Sequence, residues 1–195
     1  SNHAADADKL LHQITTEVHD TIKADRYAVR SAAFLEDDAR HSQAGRFKTL
    51  LDVPVSDIPK AIQEVIEDAR GKDAGGGQNQ FSVIIQAYIA AEYAGIVFTR
   101  NPLGGREIII EWRKGRGAEV VGGSTVERAS VMGKAAIPKE LFPGFTALCE
   151  AALTIEEKYD FPQDIEWVLK SGVLSIVQTR PLTTISKKQY EGYCL

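Results

Sequence analysis

The stretch "DIEWVLKSGVLSIVQTRP", from Asp164 to Pro181, sets Glu166, Gln178 and Arg180 among Ile, Val, Leu and Trp. A carboxylate, an amide oxygen and a guanidinium on one wall suit a hard cation carrying phosphates. The oxygens would hold magnesium and the arginine would take the moving phosphoryl group. A solvent-facing hairpin side is the competing explanation, and the register decides between them. Strand alternation groups Asp164, Glu166 and Val168 on one face, and Leu174, Ile176, Gln178 and Arg180 on the returning strand. A three-residue loop of Lys170, Ser171 and Gly172, with Gly172 supplying a positive φ, predicts Glu166 opposite Ile176 and diagonal to Gln178. Diagonal neighbours lie about 7 Å apart, within reach of one shared cation. Arg180 follows on the same face, just before Pro181 ends the strand.

Other elements must position this hairpin and supply the rest of a nucleotide site. Leu11, Ile14, Val18 and Ile22 recur at helical spacing between Asp8 and Lys23. "YAVRSAA" at 27–33 reads as a strand, paired across the polar "EDDARHSQ" with the run "GRFKTLLDV". Ser56 is placed to cap a helix whose Ile58, Ile62, Val65 and Ile66 face inward and which ends at Asp68 to Gly71. "GKDAGGGQNQ" reads as a flexible connector. The strands "FSVIIQAYI", "AGIVFT" and "EIIIEW" follow, the last two separated by the turn "RNPLGG". "KGRGAEVVGG" has no clear pattern, and a helix over about Pro143 to Tyr159 buries Leu148, Ala151, Ala152 and Ile155. Strands and helices without regular βαβ alternation predict an α+β protein of two lobes, 1–80 and 81–195.

The bulk numbers exclude several function classes. A net charge of −4 over 195 residues gives no basic excess for a nucleic-acid partner. No apolar run is long enough for a membrane span, and no signal peptide is visible. Cys149 and Cys194 form neither a disulfide framework nor a metal-ligand spacing, which favours free thiols in a reducing, cytoplasmic setting. The four histidines have no metal-site spacing, and Trp112 and Trp167 read as packing residues. The start "SNHAAD" without methionine suggests a tag remnant or an excised segment.

Taken in order, "AVRSAA", "ED", "S.AG.F.T", "IIQ", "AGIVFTRNP", "DIEW" and "IVQTRP" resemble the nucleotide-binding domain of the phosphoenolpyruvate synthase and pyruvate phosphate dikinase family, over about Tyr27 to Pro181. Rifampin phosphotransferases and glucan water dikinases share that domain. The resemblance implies an ATP-grasp fold whose two lobes close on ATP. It also implies cleavage of ATP to AMP, with a phosphoryl group passed to a histidine on a separate swivelling domain and then to pyruvate or another acceptor.

On the matching positions, Arg30 is implied to contact the ATP phosphates, and Gly45 and Thr49 to belong to the loop and strand covering the triphosphate. Gln86, with the backbone of Tyr88 and Ile89, corresponds to the hinge strand that hydrogen-bonds adenine. Glu166 and Gln178 correspond to the magnesium pair, and Arg180 to the arginine that stabilises the transferring group. Read physically, Gly45 lets a backbone N–H approach phosphate or is an ordinary hairpin glycine. Arg30 needs an anion, with Glu36 or Asp37 as the structural alternative. Gln86 needs partners that adenine or neighbouring backbone would both supply. Glu111 is a solvated strand end or a further metal ligand.

The sequence departs from the family pattern at "SAA" for "SSA" and at "GRGAE" for "GLGE", where Arg116 replaces an apolar residue. The family's first segment, whose lysine binds phosphates, has too few residues before "VRSAA" to be present, and no Gly-rich histidine motif or pyruvate-binding barrel is found. The expectation is therefore an ATP- and magnesium-binding part of a dikinase-type enzyme, partnered by a phosphohistidine domain on another segment or chain. A non-catalytic nucleotide-binding or scaffold module is the alternative.

Overall fold

The computed structural model describes residues 2–33, 48–72, 81–115, 126–132 and 140–194. They form two compact units, the first running through Ile89 and the second from Ala90 onward.

In the first unit, helix α1 (Asn2–Ile22) precedes strands β1 (Arg26–Ala33) and β2 (Thr49–Pro54), a single 3-10 turn (Val55–Asp57), helix α2 (Ile58–Lys72) and strand β3 (Phe81–Ala87). The strands form an antiparallel sheet in the order β2-β1-β3. Alternation along β1 sends Tyr27 and Val29 to one face, where they meet Ile58, Ala61, Ile62 and Val65 of α2. Leu11, Ile14, Val18 and Ile22 of α1 pack against the same cluster, as their spacing predicts. Ser56 lies in the 3-10 turn, and its hydroxyl bonds Asp57 Oδ1 at 2.9 Å rather than capping α2. Strand β3, read from sequence as the start of the second lobe, pairs with β1 from Tyr27↔Ala87 to Ala33↔Phe81, so it hydrogen-bonds into the first sheet. The boundary expected at residue 80 accordingly falls after Ile89.

The second unit contains β4 (Tyr93–Phe98), β5 (Ile108–Lys114), β6 (Glu127–Val131), helix α3 (Phe145–Tyr159), β7 (Gln163–Lys170), β8 (Val173–Pro181) and helix α4 (Lys187–Cys194). Its antiparallel sheet runs β6-β5-β4-β7-β8. One face carries Val97, Ile110, Trp112, Ile165, Trp167 and Leu169, which form a core with Phe145, Leu148, Cys149 and Ala152 of α3. Phe142 stacks on Trp167 with centroids 5.1 Å apart and on Tyr93 at 5.4 Å, so both tryptophans are packing residues. Gly95 lies between Trp112 and Trp167 in the register, where a Cβ would fall 2.0 Å from the Glu111 carbonyl oxygen. Strand β6 and helix α4 have no counterpart in the sequence reading. The connector after Lys72, the tip between β1 and β2, and "GAEVVGG" lie outside the described residues.

Candidate active site

The β7–β8 hairpin differs from its predicted form in two ways that offset each other. Its turn is two residues, not three: Lys170 pairs with Val173, and Ser171 and Gly172 both adopt positive φ, 51° and 77°. Two left-handed central residues match the right-handed twist of the strands, the geometry of a type I′ turn. The pairs Leu169↔Leu174, Val168↔Ser175 and Trp167↔Ile176 follow, so Ile176 faces with Trp167 and not with Glu166, and Leu174 packs against the core cluster. A bulge then shifts the register, with Val177 as the extra residue, and Glu166 pairs directly with Gln178 and Asp164 with Arg180. Glu166 and Gln178 are therefore direct cross-strand neighbours rather than diagonal ones, closer than expected. The expected convergence of Glu166, Gln178 and Arg180 on one face stands; the predicted route to it does not.

Asp164 joins this face, and the sequence reading gave it no role. Arg180 donates from Nε and Nη2 to Asp164 Oδ2, at 2.9 and 2.7 Å. The side chains of Arg180 and Asp164 are 15% and 9% exposed, so the pair is shielded from solvent. Had the register been read with its bulge, the direct pairing of position 164 with 180 would have identified this partner.

The fit of a hard cation rests on the same rungs. Gln178 Oε1 is buried without a hydrogen-bond partner among the described residues, on the residue that pairs with Glu166. Such an orphaned amide oxygen is costly unless a cation or donor meets it. Two protein oxygens suit magnesium, which keeps waters and phosphate oxygens in the rest of its shell. Among the described residues no group of three or more His, Cys, Asp and Glu side chains forms a metal cluster of its own.

The row extends across the sheet. Glu166 pairs with Ile96, Ile96 with Glu111 and Glu111 with Arg128. Glu111 lies within β5, half-buried, and Arg128 Nε stands 3.6 Å from its Oε1. It is thus not a strand end.

In the first unit, Arg30 pairs with Thr49 on one side and Ile84 on the other, and Ala28 pairs with Gln86. Arg30, Thr49 and Gln86 therefore share the sheet face opposite Tyr27 and Val29. The Tyr88 N–H donates to Arg26 O at 2.9 Å, so that part of the expected hinge is already engaged. Ile89 follows it at the end of the unit. Gly45, and the alternative partners Glu36 and Asp37, lie outside the described residues.

Behind the Asp164–Arg180 rung, the core holds polar residues. Thr99, Glu156 and Gln163 are 0%, 3% and 1% exposed. Burial pushes the Glu156 carboxyl above its ordinary range, against the opposing effects of the Thr99 hydroxyl, Arg100 and Tyr190. Burial also pushes the Cys149 thiol up to about 11.

Comparison with known proteins places the chain in a family. The family model described as pyruvate phosphate dikinase, AMP/ATP-binding domain, matches residues 4–140 and 143–193. A probable phosphoenolpyruvate synthase of Methanothermobacter thermautotrophicus is 28% identical over 84% of this chain and 30% of its own length. One from Archaeoglobus fulgidus is 28% identical over 85% of this chain and 28% of its own length. The prodigiosin synthesizing transferase PigC of Serratia marcescens is 27% identical over 82% of this chain and 23% of its own length. The chain thus spans less than a third of each of these relatives.

Among solved structures, the acetyl-coenzyme A synthetase 1 of Ca. Korarchaeum cryptofilum, in complex with coenzyme A and Ca-AMPCP, superimposes with a TM-score of 0.53 at 12% identity, covering 87% of this chain and 80% of that one. A Pyrococcus horikoshii protein gives 0.51 at 15% identity, covering 86% and 78%. These likenesses speak to the fold, which is α+β and ATP-grasp-like. With the family model matching nearly the whole chain, this protein belongs to the pyruvate phosphate dikinase AMP/ATP-binding domain family.

Proposed function

We propose that this chain is the ATP-binding, phosphoryl-transferring domain of a dikinase-type phosphotransferase. The observation that carries the reading is the pair of adjacent rungs, Glu166 opposite Gln178 and Asp164 opposite Arg180, on one sheet face. Glu166 and the orphaned Gln178 Oε1 would hold a magnesium ion, whose chemistry is to bridge phosphate oxygens and neutralise charge as it develops. Arg180 is held through Nε and Nη2, which leaves Nη1 uncommitted among the described residues and aimed by a fixed guanidinium plane. It would meet the transferring phosphoryl group without first losing side-chain freedom.

In the first unit, Arg30 would contact phosphate oxygens, with Thr49 beside it, and Gln86 would bind adenine together with backbone groups of Tyr88 and Ile89. The Tyr88 N–H is occupied, so the hinge contacts fall to other backbone groups of that stretch. Gly45 would offer its backbone N–H to the phosphates. The phosphoryl acceptor would be a histidine of a swivelling domain, passing the group onward.

Calorimetry on this chain with ATP, in the presence of magnesium and in EDTA, tests the binding. Magnesium-dependent affinity that weakens by roughly tenfold or more in Glu166→Ala is the expected result. Nucleotide binding indifferent to magnesium and to Glu166 would overturn the metal assignment. Binding with no AMP formation when a phosphohistidine domain is supplied would reduce the chain to a non-catalytic nucleotide module.

A further inference from the structure

Three of the five buried polar residues among the described residues, Thr99, Glu156 and Gln163, lie in one patch of the second unit, behind the Asp164–Arg180 pair. A core that only needed stability would fill such positions with apolar groups, since each buried polar atom must find a partner. Here the partners form a chain of contacts. The Tyr190 hydroxyl of α4 donates to Glu156 Oε1 at 3.4 Å, and Arg100 forms an ion pair with the same oxygen. Arg100 Nη1 in turn donates to the Thr99 carbonyl at 3.0 Å, and the Thr99 hydroxyl accepts the Gln163 N–H at 2.8 Å. Gln163 Oε1 then accepts the Thr179 hydroxyl at 3.0 Å.

Thr179 is the residue between Gln178 and Arg180, and Gln163 immediately precedes Asp164. The chain of contacts therefore ends on Gln163 and Thr179, which flank the Asp164–Arg180 rung in β7 and β8 and lie on the opposite face of the sheet. At its other end, α4 is fastened by Tyr190 in a cluster with Leu182 and Ile185, and by Arg106 Nη2 donating to Gly192 O at 3.1 Å.

We propose that Glu156 is a positioning residue for Arg180 and that the seating of helix α4, through Tyr190, sets how firmly Arg180 is held. The inference rests on the transfer role proposed for Arg180 only for its biological meaning; the coupling itself is a property of the fold. Side-chain networks with two discrete arrangements, made or broken, carry coupling between their ends.

The test is a nuclear magnetic resonance measurement on this chain. The Arg180 Nε–H signal, assigned by its disappearance in Arg180→Lys, is followed for solvent exchange, together with the Gln178 side-chain amide. Tyr190→Phe deletes one hydroxyl, and Arg106→Ala loosens α4 without touching Glu156. Both are expected to speed Arg180 Nε–H exchange several-fold and to shift the Gln178 amide, while Thr154→Ala, which removes an exposed hydroxyl bond elsewhere on α3, leaves both unchanged. Glu156→Gln is expected to act in the same direction and more strongly. If it does not fold, Tyr190→Phe and Arg106→Ala carry the test. Parent-like Arg180 exchange in both of those variants, with only a lowered melting temperature, would overturn the proposal and leave the network a purely structural one. This readout follows Arg180 itself, so it separates failure of the coupling from failure of the ATP-binding reading.

Discussion

Arg180 and Asp164 face each other across β7 and β8, and both guanidinium bonds fall on one oxygen, Asp164 Oδ2, at 2.9 and 2.7 Å. The arginine is thus oriented before any ligand arrives, and charge that develops on a phosphoryl group would meet a donor needing little rearrangement. Arg180→Ala is expected to leave ATP affinity within a few-fold of the parent while slowing phosphoryl transfer by roughly 10³-fold or more. Dissociation constants and AMP formation with the swivelling domain supplied, measured on the same variant, check this. Turnover at the parental rate would refute the transfer role.

Removing the partner should act differently. Asp164→Ala leaves a shielded arginine without its anion, a loss of about 3 kcal/mol by the cost of breaking a buried pair. The expected signature is a lowered urea midpoint in Asp164→Ala, largely recovered in the double variant Asp164→Ala with Arg180→Met. Equal midpoints for Asp164→Ala and the parent would show that the ion pair adds nothing to the fold.

The Glu166–Gln178 rung predicts a magnesium effect. Glu166→Ala is expected to weaken magnesium-dependent ATP binding by roughly tenfold or more, since it removes the only charged ligand of the proposed pair. Gln178→Ala should weaken it less, because a neutral oxygen is lost. Isothermal titration across magnesium concentrations checks the order of the two effects.

Gly95 supports the core rather than the site. A Cβ there would fall 2.0 Å from the Glu111 carbonyl and 2.8 Å from the Trp112 Cα, both backbone atoms that cannot swing aside. Gly95→Ala is therefore expected to destabilise the second unit by about 2–3 kcal/mol. Thermal melting followed by tryptophan fluorescence reads this out, because Trp112 and Trp167 flank the position.

Cys149 is fully buried, and burial lifts its thiol to about 11. The thiolate fraction at pH 8 is on the order of one in a thousand. In a Cys194→Ser background, modification by a thiol reagent should be slow in the folded protein and rapid in denaturant. A fast reaction under native conditions would mean that the α3 face opens readily.

The elements with strong periodicity were legible in the sequence. The apolar positions of α1 and α2, and Leu148, Ala152 and Ile155 of α3, sit where their spacing places them, whereas Ala151 is half-buried outside the core cluster; β1, β3, β4 and β5 match the apolar runs. Strand β6 was missed because "ERASV" buries only Val131 and so lacks a clear alternation. Helix α4, "KKQYEGYC", is short and polar, and it is seated by Tyr190 rather than by an apolar stripe. The Glu166, Gln178 and Arg180 wall was legible as a constellation, while its register was not. Ser171 takes a left-handed conformation that its residue type does not announce, and the bulge at Val177 carries no glycine to mark it. Asp164 was hidden for the same reason, since its role depends on a partner across the strand.

The bulge also decides which length changes the hairpin can absorb. Even-numbered residues Leu174 and Ile176 share the Trp167 face, whereas even-numbered Gln178 and Arg180 share the Glu166 face, so Val177 is where the strand changes phase. Deleting Val177 would bring Gln178 opposite Glu166 in a regular ladder and keep Leu174 where it packs. A deletion at Ser175 or Thr179 would instead turn an apolar or a ligand-facing side chain to the wrong side. In a deletion scan of β8, gaps tolerated at Val177 or at Ile176, whose place Val177 would then take, but not at Thr179, would be the imprint of that phase change.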